Sequence, residues 1–369
     1  MILILTAGYG EGHNAAARGL LSAFEKRGVP AEIVDAFALG GGSFYQKTRR
    51  WYLSLINRFP NVWAAAFRWI DRNPIGYWSL PFLGSVREAL FGVLESRRPD
   101  LVVSVYPAYP YLFEAIWGGA RLPFGVCTVI TDSITINSVW HRCGSDLYVV
   151  ANEPSRRVLL EAGIDEARVR VLGFPVLPVF WHGRVERPGP DVTTPRVLFM
   201  VNAGREHAPE IVRRILDVGG VHLTVTVGRD EALGDELREV AAGRPLELHG
   251  WTDRMPELLM SHHLLIGKAG GATVQECLAA RTPMLITQVV PGQEEGNARL
   301  MVESGCGEVR QDPGGIAARV SELFADGGRL WKAWEANMRL LSRPRASVDI
   351  AEALESWCSD RERGQNWKS

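Results

Sequence analysis

The sequence has few cysteines, and none of them forms a metal-binding or redox pattern. Its 369 residues include five cysteines, with no C-x-x-C pair and no histidine at a spacing suited to zinc. We therefore expect reduced thiols and no structural zinc. Because no DxD-like carboxylate pair follows a predicted strand, we also expect no cofactor and no metal at the functional site.

Excess charge and long apolar runs are also missing. Lys and Arg together number 41 against 42 Asp and Glu, a formal net charge of -1, so we expect no nucleic-acid partner. No apolar run reaches the roughly eighteen residues of a membrane span. Met1 leads directly into a strand-like run, which leaves no room for a signal peptide. These absences predict a cytoplasmic protein, either soluble or peripheral at a membrane.

What is present is an alternation of strand-like and helix-like segments. This alternation predicts parallel sheets wrapped by helices, and the length predicts two domains. The predicted strands are Ile2 to Leu5, Leu101 to Tyr106, Gly125 to Ile130, Leu147 to Val150, Val197 to Val201, Leu223 to Val227, Leu264 to Gly267 and Met284 to Thr287. A Pro-, Gly- and charge-rich break spans residues 182–195. We expect an N-terminal domain over 1–185, a C-terminal domain over 190–345, and a helix and tail over 346–369 that pack back on the first domain.

The first distinctive motif is a glycine-rich turn, "GYGEGHN", between a predicted strand and a helix predicted from Asn14 to Lys26. It lacks the Lys-Ser/Thr pair of a Walker loop and does not fit the G-x-G-x-x-G dinucleotide fingerprint. His13 follows the glycines at the carboxyl edge of a parallel sheet, where open α/β folds bind ligands. It could take a proton from a substrate hydroxyl or merely hydrogen-bond the turn.

A second glycine-rich turn, "GKAGGATVQE", follows the strand predicted to end at Gly267. A helix start beside glycines is suited to a phosphate, and we predict that this helix begins near Thr273. Glu276 could bind two vicinal hydroxyls such as those of a ribose. It could instead form a capping box with Thr273, which the spacing alone favours.

The segment "VVPGQEEGN" predicts a Pro-Gly turn and another helix start. Acidic residues at a helix start are ordinary partners of the helix dipole. Gln293, Glu294 and Asn297 nevertheless offer donors and acceptors suited to several sugar hydroxyls.

Residues 44–83 are rich in tryptophan and arginine. Trp51, Trp63 and Trp69 alternate with basic residues, and Asp71 is the single acid in this stretch. Amphipathic helices of this composition bind anionic bilayer surfaces. They could instead pack over the N-terminal sheet, which the residues alone favour.

These motifs, taken in order, resemble a known family. The segments "GYGEGHNAAARGL", "TDSITINSVWHRCGSDLYVVANE", "VRVLGFPVLPVF", "GWTDRMPELL" and "GKAGGATVQECLAARTPMLITQVVPGQEEGNA" occur in the order seen in monogalactosyldiacylglycerol synthases and processive diacylglycerol glucosyltransferases. The resemblance covers roughly residues 1–310. It implies an α/β GT-B fold, with two doubly wound Rossmann-like domains facing a cleft, the nucleotide-sugar in the C-terminal domain and the acceptor in the N-terminal one.

The resemblance also implies roles for individual residues. His13 would be the general base or a contact of the donor phosphate, and Asp132, Asn137 and Trp140 would lie on the acceptor side with Trp51, Trp63 and Trp69. Glu276 would bind the ribose. The other implied donor contacts are Gly12 at the diphosphate, Gly250 to Met255 at the uracil, Gly270, Gly271, Ala272 and Thr273 at the pyrophosphate, and Gln293, Glu294 and Asn297 at the sugar.

Two departures from the family pattern affect these assignments. Asn137 stands where the family commonly has a histidine, which puts acceptor handling in doubt. The glycine-rich turn after the first C-terminal strand is reduced to residues 202–205, leaving Arg205 either to meet phosphate or to be an ordinary exposed arginine.

The implied function is inverting transfer of a hexose from a UDP-sugar to diacylglycerol or a similar lipid alcohol, forming a β-glycolipid. Such an enzyme would be peripheral on the inner face of the cell membrane, at an anionic surface. Helix N-termini could stabilise the leaving UDP without a metal. The alternatives are a UDP-sugar 2-epimerase-like isomerase, a glycosyltransferase with another acceptor, and a non-catalytic lipid or nucleotide binder.

Overall fold

The computed structural model describes residues 1–183, 185, 189, 192–201 and 205–362, except for the side chains of Phe44, Leu53, Asn57 and Glu362. Part of the predicted break at 182–195 and the shortened turn at 202–204 therefore lie outside the described residues. The chain divides into two compact units. The first comprises Met1–Pro178, Val290–Gly296 and Arg345–Ser369, and the second comprises Val179–Val289 and Asn297–Pro344.

Each unit is built on a parallel sheet of six strands. The first sheet has the order β2-β1-β3-β4-β5-β6 and the second the order β12-β11-β10-β7-β8-β9. The strands are β1 (Ile2–Leu5), β2 (Ala31–Val34), β3 (Leu101–Ser104), β4 (Gly125–Val129), β5 (Leu147–Val150), β6 (Val169–Val171), β7 (Arg196–Met200), β8 (His222–Thr226), β9 (Leu246–His249), β10 (Leu264–Lys268), β11 (Met284–Gln288) and β12 (Gly307–Val309).

Helices connect the strands and cover the sheets. They are α1 (Glu11–Lys26), α2 (Ala36–Arg58), α3 (Pro60–Arg72), α4 (Ile75–Ser79), α5 (Gly84–Arg97), α6 (Tyr109–Trp117), α7 (Glu153–Glu161), α8 (Val179–His182), α9 (Ala208–Val218), α10 (Glu231–Ala241), α11 (Met255–Ser261), α12 (Gly271–Ala280), α13 (Glu295–Glu303), α14 (Pro313–Leu341) and α15 (Ala346–Glu362). Short 3₁₀ turns occur at Leu80–Leu83, Ser138–Trp140, Glu166–Arg168 and Arg205–His207.

The central strands are continuous apolar runs because both faces of a parallel sheet are covered by helices. All four residues of β1 and of β3 are buried, and these strands agree with the prediction to within two residues. The sequence did not reveal β2, β6, β9 and β12, which are the four edge strands. Edge strands are partly exposed, so their mixed composition gives no apolar run.

The C-terminal helix α15 packs on α1 in the first unit. The Arg27 guanidinium donates hydrogen bonds to the carboxylates of Glu352 and Glu355. Trp357 lies against Gly125 on β4, where a Cβ would be 2.3 Å from the indole ring. Only glycine therefore fits beneath this tryptophan.

Candidate active site

The strand order creates one topological switch point in each sheet, and open α/β sheets bind ligands at such points. In the first sheet β1 lies between β2 and β3, and in the second β7 lies between β8 and β10. The chain leaves these neighbouring strands in opposite directions, which opens a crevice at their carboxyl ends. The turn carrying His13 follows β1, and the glycines at 270 and 271 follow β10.

Close packing explains the first glycine of this turn, Gly8. Glycines in such a turn can supply backbone angles closed to other residues, but Gly8, Gly10 and Gly12 do not have positive φ. A Cβ on Gly8 would lie 2.6 Å from the Tyr45 hydroxyl, which donates to Asp35. The helix begins at Glu11, three residues earlier than predicted, so Gly12 and His13 occupy its first turn.

His13 is fixed in one tautomer. Its Nδ1 lies 2.8 Å from the carbonyl oxygen of Val105 and 3.0 Å from the Thr131 hydroxyl. Because a carbonyl oxygen only accepts, Nδ1 carries the hydrogen and Nε2 keeps its lone pair. Burial lowers the pKa of His13 to about 4, so the imidazole is neutral near pH 7. It is therefore set up to accept a proton at Nε2.

The side chain of His13 lines a cavity of about 400 Å³ in the first unit. This volume is in the range of small-molecule sites. The polar groups in its wall include His13, Asp132, Asn137 and Gln293. Most of the wall is aromatic or aliphatic, with Tyr9, Trp51, Tyr52, Trp63, Phe67, Tyr106 and Trp140 as the aromatic members. The cavity is suited to an apolar molecule that presents one hydroxyl to the imidazole.

Asp132 lies in this cavity and accepts a hydrogen bond from the indole nitrogen of Trp140 at 2.7 Å. Burial raises the pKa of Asp132 to about 6, against the lowering effect of that hydrogen bond. The Trp140 ring is 5.9 Å from the His13 ring, between centroids. The segment after β4 thus brings a carboxyl group and an indole to the same wall as the histidine.

Asn137 anchors this segment on α3. Its Nδ2 donates to the carbonyl of Phe67 at 3.1 Å, and its Oδ1 accepts from the backbone amide of Val139 at 3.1 Å. Ser138 adds a hydrogen bond from its amide to the Asp71 carboxylate at 2.7 Å. Asn137 therefore positions the backbone after it against α3.

The segment 290–296 belongs to the first unit, although the sequence places it within the second predicted domain. Gln293 lines the His13 cavity, and its Oε1 accepts from the Tyr52 hydroxyl at 3.3 Å. Glu294 is 6% exposed, and its Oε2 accepts from the backbone amide of Val290 at 2.9 Å. Of the two residues predicted to bind the sugar, Gln293 lines the cavity, while the carboxylate of Glu294 stabilises the loop in which it lies.

Asn297 lies in the second unit. It is 3% exposed, and its Nδ2 donates to the carbonyl of Ala269 at 3.2 Å, next to the second glycine-rich turn. Asn297 therefore stabilises that turn through a hydrogen bond to its backbone.

The second glycine-rich turn forms the N-terminus of α12. The helix begins at Gly271 with Gly270 as its N-cap, and no side chain caps it. Gly271, Ala272 and Thr273 thus form its first turn, where N–H groups have no intrahelical acceptor and favour an anion. The helix thus begins two residues before the predicted start near Thr273. Because Thr273 lies inside the helix, it does not form the N-cap that a capping box with Glu276 requires.

The loop from Gly250 to Arg254 connects β9 to α11, which begins at Met255. Gly250 lines a cavity of about 340 Å³ in the second unit, together with Gly228, Arg238 and His249. The Arg229 guanidinium lies 6.0 Å from the ring centroid of Trp251 in the same loop. Arg205 forms an ion pair with Asp230 at 3.1 Å.

Some tryptophans of residues 44–83 line the cavity, and others are exposed at the surface. Trp63 contacts Tyr52 edge-on at 5.1 Å and lines the cavity. Trp51, which also lines it, and Trp69 are both more than half exposed. No helix within the described ranges is long and apolar enough to cross a membrane. Those ranges likewise hold no cluster of three or more His, Cys, Asp or Glu that could bind a metal.

Sequence reasoning missed Tyr9, Tyr52, Tyr106, Val105 and Thr131 in this site. Tyr106 and Thr131 follow β3 and β4 closely, so the rule that ligands bind at carboxyl ends of strands could have found them. Tyr52 had no such signal because it lies in the middle of α2.

Comparison with solved structures identifies the fold. The calicheamicin glycosyltransferase CalG4 superposes with a TM-score of 0.60 at 17% identity, covering 98% of both chains. MurG of Acinetobacter baumannii gives a TM-score of 0.61 at 12% identity, covering 96% of this chain and 99% of that one. A UDP-N-acetylglucosamine 2-epimerase gives 0.62 at 12% identity, covering 100% and 98%. The chain has the predicted GT-B fold of glycosyltransferases.

Comparison of sequences identifies proteins to which the chain is similar. Residues 13–176 match the family model for monogalactosyldiacylglycerol (MGDG) synthase. Monogalactosyldiacylglycerol synthase 3 of Arabidopsis thaliana is 26% identical over 98% of this chain and 82% of its own length. The processive diacylglycerol beta-glucosyltransferase of Bacillus mycoides is 25% identical over 96% and 92%. The chain is a glycosyltransferase related to these two groups, which confirms the resemblance inferred from the motifs. The isomerase alternative is not favoured.

Proposed function

We propose that this protein transfers a hexose from a UDP-sugar to diacylglycerol or a similar lipid alcohol, with inversion to a β-glycolipid. The observation that carries the proposal is the aromatic cavity around His13, whose imidazole is neutral and has its Nε2 lone pair available. An acceptor hydroxyl with a pKa near ~16 needs positioned proton removal, which typically contributes about 10²- to 10⁴-fold in rate. The names of the relatives support the choice of lipid and sugar.

The acceptor would enter the cavity with its hydroxyl toward His13. Apolar walls contributed by Trp63, Phe67 and Ile70 would hold the glycerol and the first part of the acyl chains. A cavity of about 400 Å³ is small for a whole diacylglycerol, so the remaining chain would stay in the bilayer.

The second unit would bind the donor. The uncapped N-terminus of α12, with Gly270 at its start, would hold the diphosphate by backbone N–H groups. Glu276 would bind the ribose, and the loop 250–255 would hold the uracil. The same helix terminus would stabilise the charge of the leaving UDP, so we expect transfer without a bound metal.

Contact with an anionic membrane would bring the enzyme to its acceptor. Large apolar side chains are exposed on α2, α3, α4 and the turn after it, including Phe59, Trp69, Trp78 and Phe82. They lie among exposed cations at Lys47, Arg50, Arg58, Arg68 and Arg72. Such a surface favours the headgroup region of an anionic bilayer. We place the protein at the inner face of the cell membrane.

A donor panel tests the proposal. The full chain is incubated with radiolabelled UDP-glucose, UDP-galactose or UDP-N-acetylglucosamine and vesicles of diacylglycerol in anionic phospholipid, and lipid and water-soluble products are separated. We expect label in the lipid fraction with one donor preferred, and transfer that persists in EDTA. Labelled free sugar isomers without labelled lipid would contradict the transferase assignment.

A further inference from the structure

One face of α2 carries four side chains that form hydrogen bonds with the loops around the His13 cavity. They are Tyr45, Thr48, Arg49 and Tyr52. Their spacing of i, i+3, i+4 and i+7 places them on the same side of the helix. This face of α2 therefore lies against the site, while exposed residues of the same helix lie on the proposed membrane surface.

Three of these side chains hold the glycine-rich turn. The Tyr45 hydroxyl accepts from the backbone N–H of Gly8 at 2.8 Å, and the Arg49 guanidinium donates to the carbonyl oxygen of Gly8. The Thr48 hydroxyl lies 2.9 Å from that of Tyr9 in the same turn. This part of α2 therefore has a fixed position against the turn.

Tyr52 contacts the other loop of the cavity, residues 290–296. Its hydroxyl donates to Gln293 Oε1 at 3.3 Å. Its ring packs edge-on against two other rings, that of Tyr9 at 5.9 Å and that of Trp63 at 5.1 Å between centroids. Burial raises the pKa of Tyr52, so the hydroxyl keeps its hydrogen near pH 7. Tyr52 is thus a hydrogen-bond donor held in one place.

This donor determines which end of the Gln293 carboxamide faces the cavity. A carboxamide has an oxygen that accepts hydrogen bonds and an NH₂ group that donates them. If the NH₂ group faced Tyr52, the phenol hydrogen would have no acceptor among the described residues, and a buried donor without an acceptor is costly. The oxygen therefore faces Tyr52, which leaves the NH₂ group of Gln293 for a hydroxyl in the cavity.

The proposed reaction brings the transferred hexose to this NH₂ group. The acceptor O–H bond breaks, its hydrogen passes to His13 Nε2, and its oxygen bonds to the anomeric carbon as UDP leaves with the electron pair. The hexose is therefore beside His13 during transfer, and Gln293 lines the same cavity. A hydrogen bond to one sugar hydroxyl depends on the direction of that hydroxyl, so it distinguishes one hexose from another.

We propose that Tyr52 is a positioning residue for the donor sugar, whose hydroxyl holds the Gln293 carboxamide so that the NH₂ group meets one hydroxyl of the hexose. The proposal rests on the proposed function above. Tyr52 acts through Gln293 and makes no contact of its own with the sugar. The choice among UDP-hexoses thus depends in part on α2.

Three variants separate this role from a general effect on packing. Tyr52→Phe removes the hydroxyl and keeps the aromatic ring. Gln293→Ala removes the group through which Tyr52 acts, and the double variant shows whether the two effects are independent. Tyr148→Phe is the matched control, because it removes another buried phenol hydroxyl, which accepts from the amide of Ser145 and does not line the cavity.

The first measurement is calorimetric titration of the full chain with UDP, UDP-glucose, UDP-galactose and UDP-N-acetylglucosamine. The ratio of the UDP-sugar Kd to the UDP Kd isolates the contacts made by the sugar. For the donor that the wild type binds most tightly, Tyr52→Phe should raise this ratio about 3- to 10-fold, the usual effect of one hydrogen bond, and leave the UDP Kd within about twofold. Tyr148→Phe should change neither quantity.

The double variant decides whether Tyr52 acts through Gln293. In the Gln293→Ala background, Tyr52→Phe should change the Kd ratio by less than about twofold. An unchanged ratio in Tyr52→Phe, or effects of the two substitutions that multiply in the double variant, overturns the proposal.

The second measurement is steady-state transfer to diacylglycerol vesicles. Tyr52→Phe should lower kcat/KM for the preferred donor about 3- to 10-fold and lower its preference over the other two donors, with the lipid KM within about twofold. An equal loss with all three donors would indicate a packing effect and overturn the proposal. If no donor labels lipid with the wild-type protein, the proposed function fails, while the titrations still decide whether Tyr52 acts on the sugar through Gln293.

Discussion

At the scale of single residues, two histidines with similarly lowered pKa values differ in whether a ring nitrogen can accept a proton. Burial lowers the pKa of both His13 and His262 to about 4. In His262 both ring nitrogens are engaged, Nδ1 with the carbonyl of Leu258 at 2.6 Å and Nε2 with the Thr224 hydroxyl at 2.8 Å. In His13 both hydrogen bonds fall on Nδ1. Only the latter arrangement leaves a nitrogen to receive a proton from a ligand in a cavity.

Replacing His13 should therefore affect chemistry more than folding. We expect His13→Ala to lower kcat for lipid glycosylation by about 10² to 10⁴, the usual contribution of a general base, with little change in donor binding. Steady-state rates and UDP titrations on the same preparations measure this. The exposed His207→Ala is the matched control. Wild-type kcat in His13→Ala would exclude His13 as the base.

Ionisation of Asp132 should lower the free energy of unfolding at neutral pH. Its folded pKa of about 6 lies above the unfolded value near 3.8, so its contribution to stability is full below about pH 4 and is lost as pH rises through 6. Asp132→Asn cannot ionise and should be more stable than the wild type by roughly 1 to 2 kcal/mol at pH 8. Urea unfolding at pH 4 and pH 8 measures this, and the difference should vanish at pH 4. A less stable Asp132→Asn at pH 8 would contradict the prediction.

At the scale of elements, the start of α12 combines an uncapped helix end with an extended glycine. Gly270 has φ -63° and ψ 141°, values that any residue can adopt. A Cβ there would lie 3.5 Å from the Thr273 hydroxyl, an ordinary contact. The fold therefore does not require glycine at 270, and the absence of a side chain leaves room for a ligand.

Gly270→Ala should fold normally and bind donor poorly. A methyl group at the helix start would keep a phosphate from the backbone N–H groups, so we expect UDP affinity to fall about tenfold or more. Calorimetric titration with UDP measures the loss. Gly92→Ala on α5, where a Cβ would have open space, is the control. Unchanged UDP affinity in Gly270→Ala would remove this turn from the donor site.

The helices of residues 44–83 carry aromatic side chains that are exposed and do not pack in the protein core. Replacing Phe59, Trp69 and Phe82 together with alanine should weaken binding to anionic vesicles by about 10- to 100-fold, because each side chain would bury apolar surface in the bilayer. Vesicle co-sedimentation at low and high salt measures the effect. Trp251→Ala, which removes a tryptophan 68% exposed in the second unit, should bind as the wild type does. Equal binding by the triple variant would locate membrane contact elsewhere.

At the scale of the whole molecule, the first unit is completed by the end of the chain. Trp357 of α15 is 7% exposed against β4, and Arg27 of α1 holds two glutamates of the same helix. Ion pairs between residues 325 and 328 positions apart thus join α1 to α15, and Trp357 packs on a strand of the same unit.

Trp357→Ala should destabilise the first unit. Truncating a buried tryptophan typically costs about 3 to 5 kcal/mol, so the urea midpoint of the first unit should fall while UDP binding by the second unit persists below that midpoint. Circular dichroism and UDP titration across a urea series measure the two effects. Leu340→Ala, at a side chain 84% exposed, is the control. Unchanged unfolding of Trp357→Ala would show that α15 adds little to this core.

The amino-acid sequence was sufficient to predict the parallel α/β class and most central strands, because strands buried on both faces must be continuous apolar runs. It also predicted the similarity to diacylglycerol glycosyltransferases, because the glycine-rich turns and the PGQE segment are local patterns. The capping box that the spacing favours for Thr273 and Glu276 does not form, because Gly270 is the N-cap of α12 and a glycine cap has no side-chain signal.

Only the tertiary structure decided the chemistry of the cavity. The tautomer of His13 is set by Val105, 92 residues away, and Gln293 reaches the cavity through a hydrogen bond with Tyr52, 241 residues away. The cost of charging His13 or Asp132 depends on which side chains exclude water around them. Such contacts form when distant segments pack together, and no local spacing encodes them.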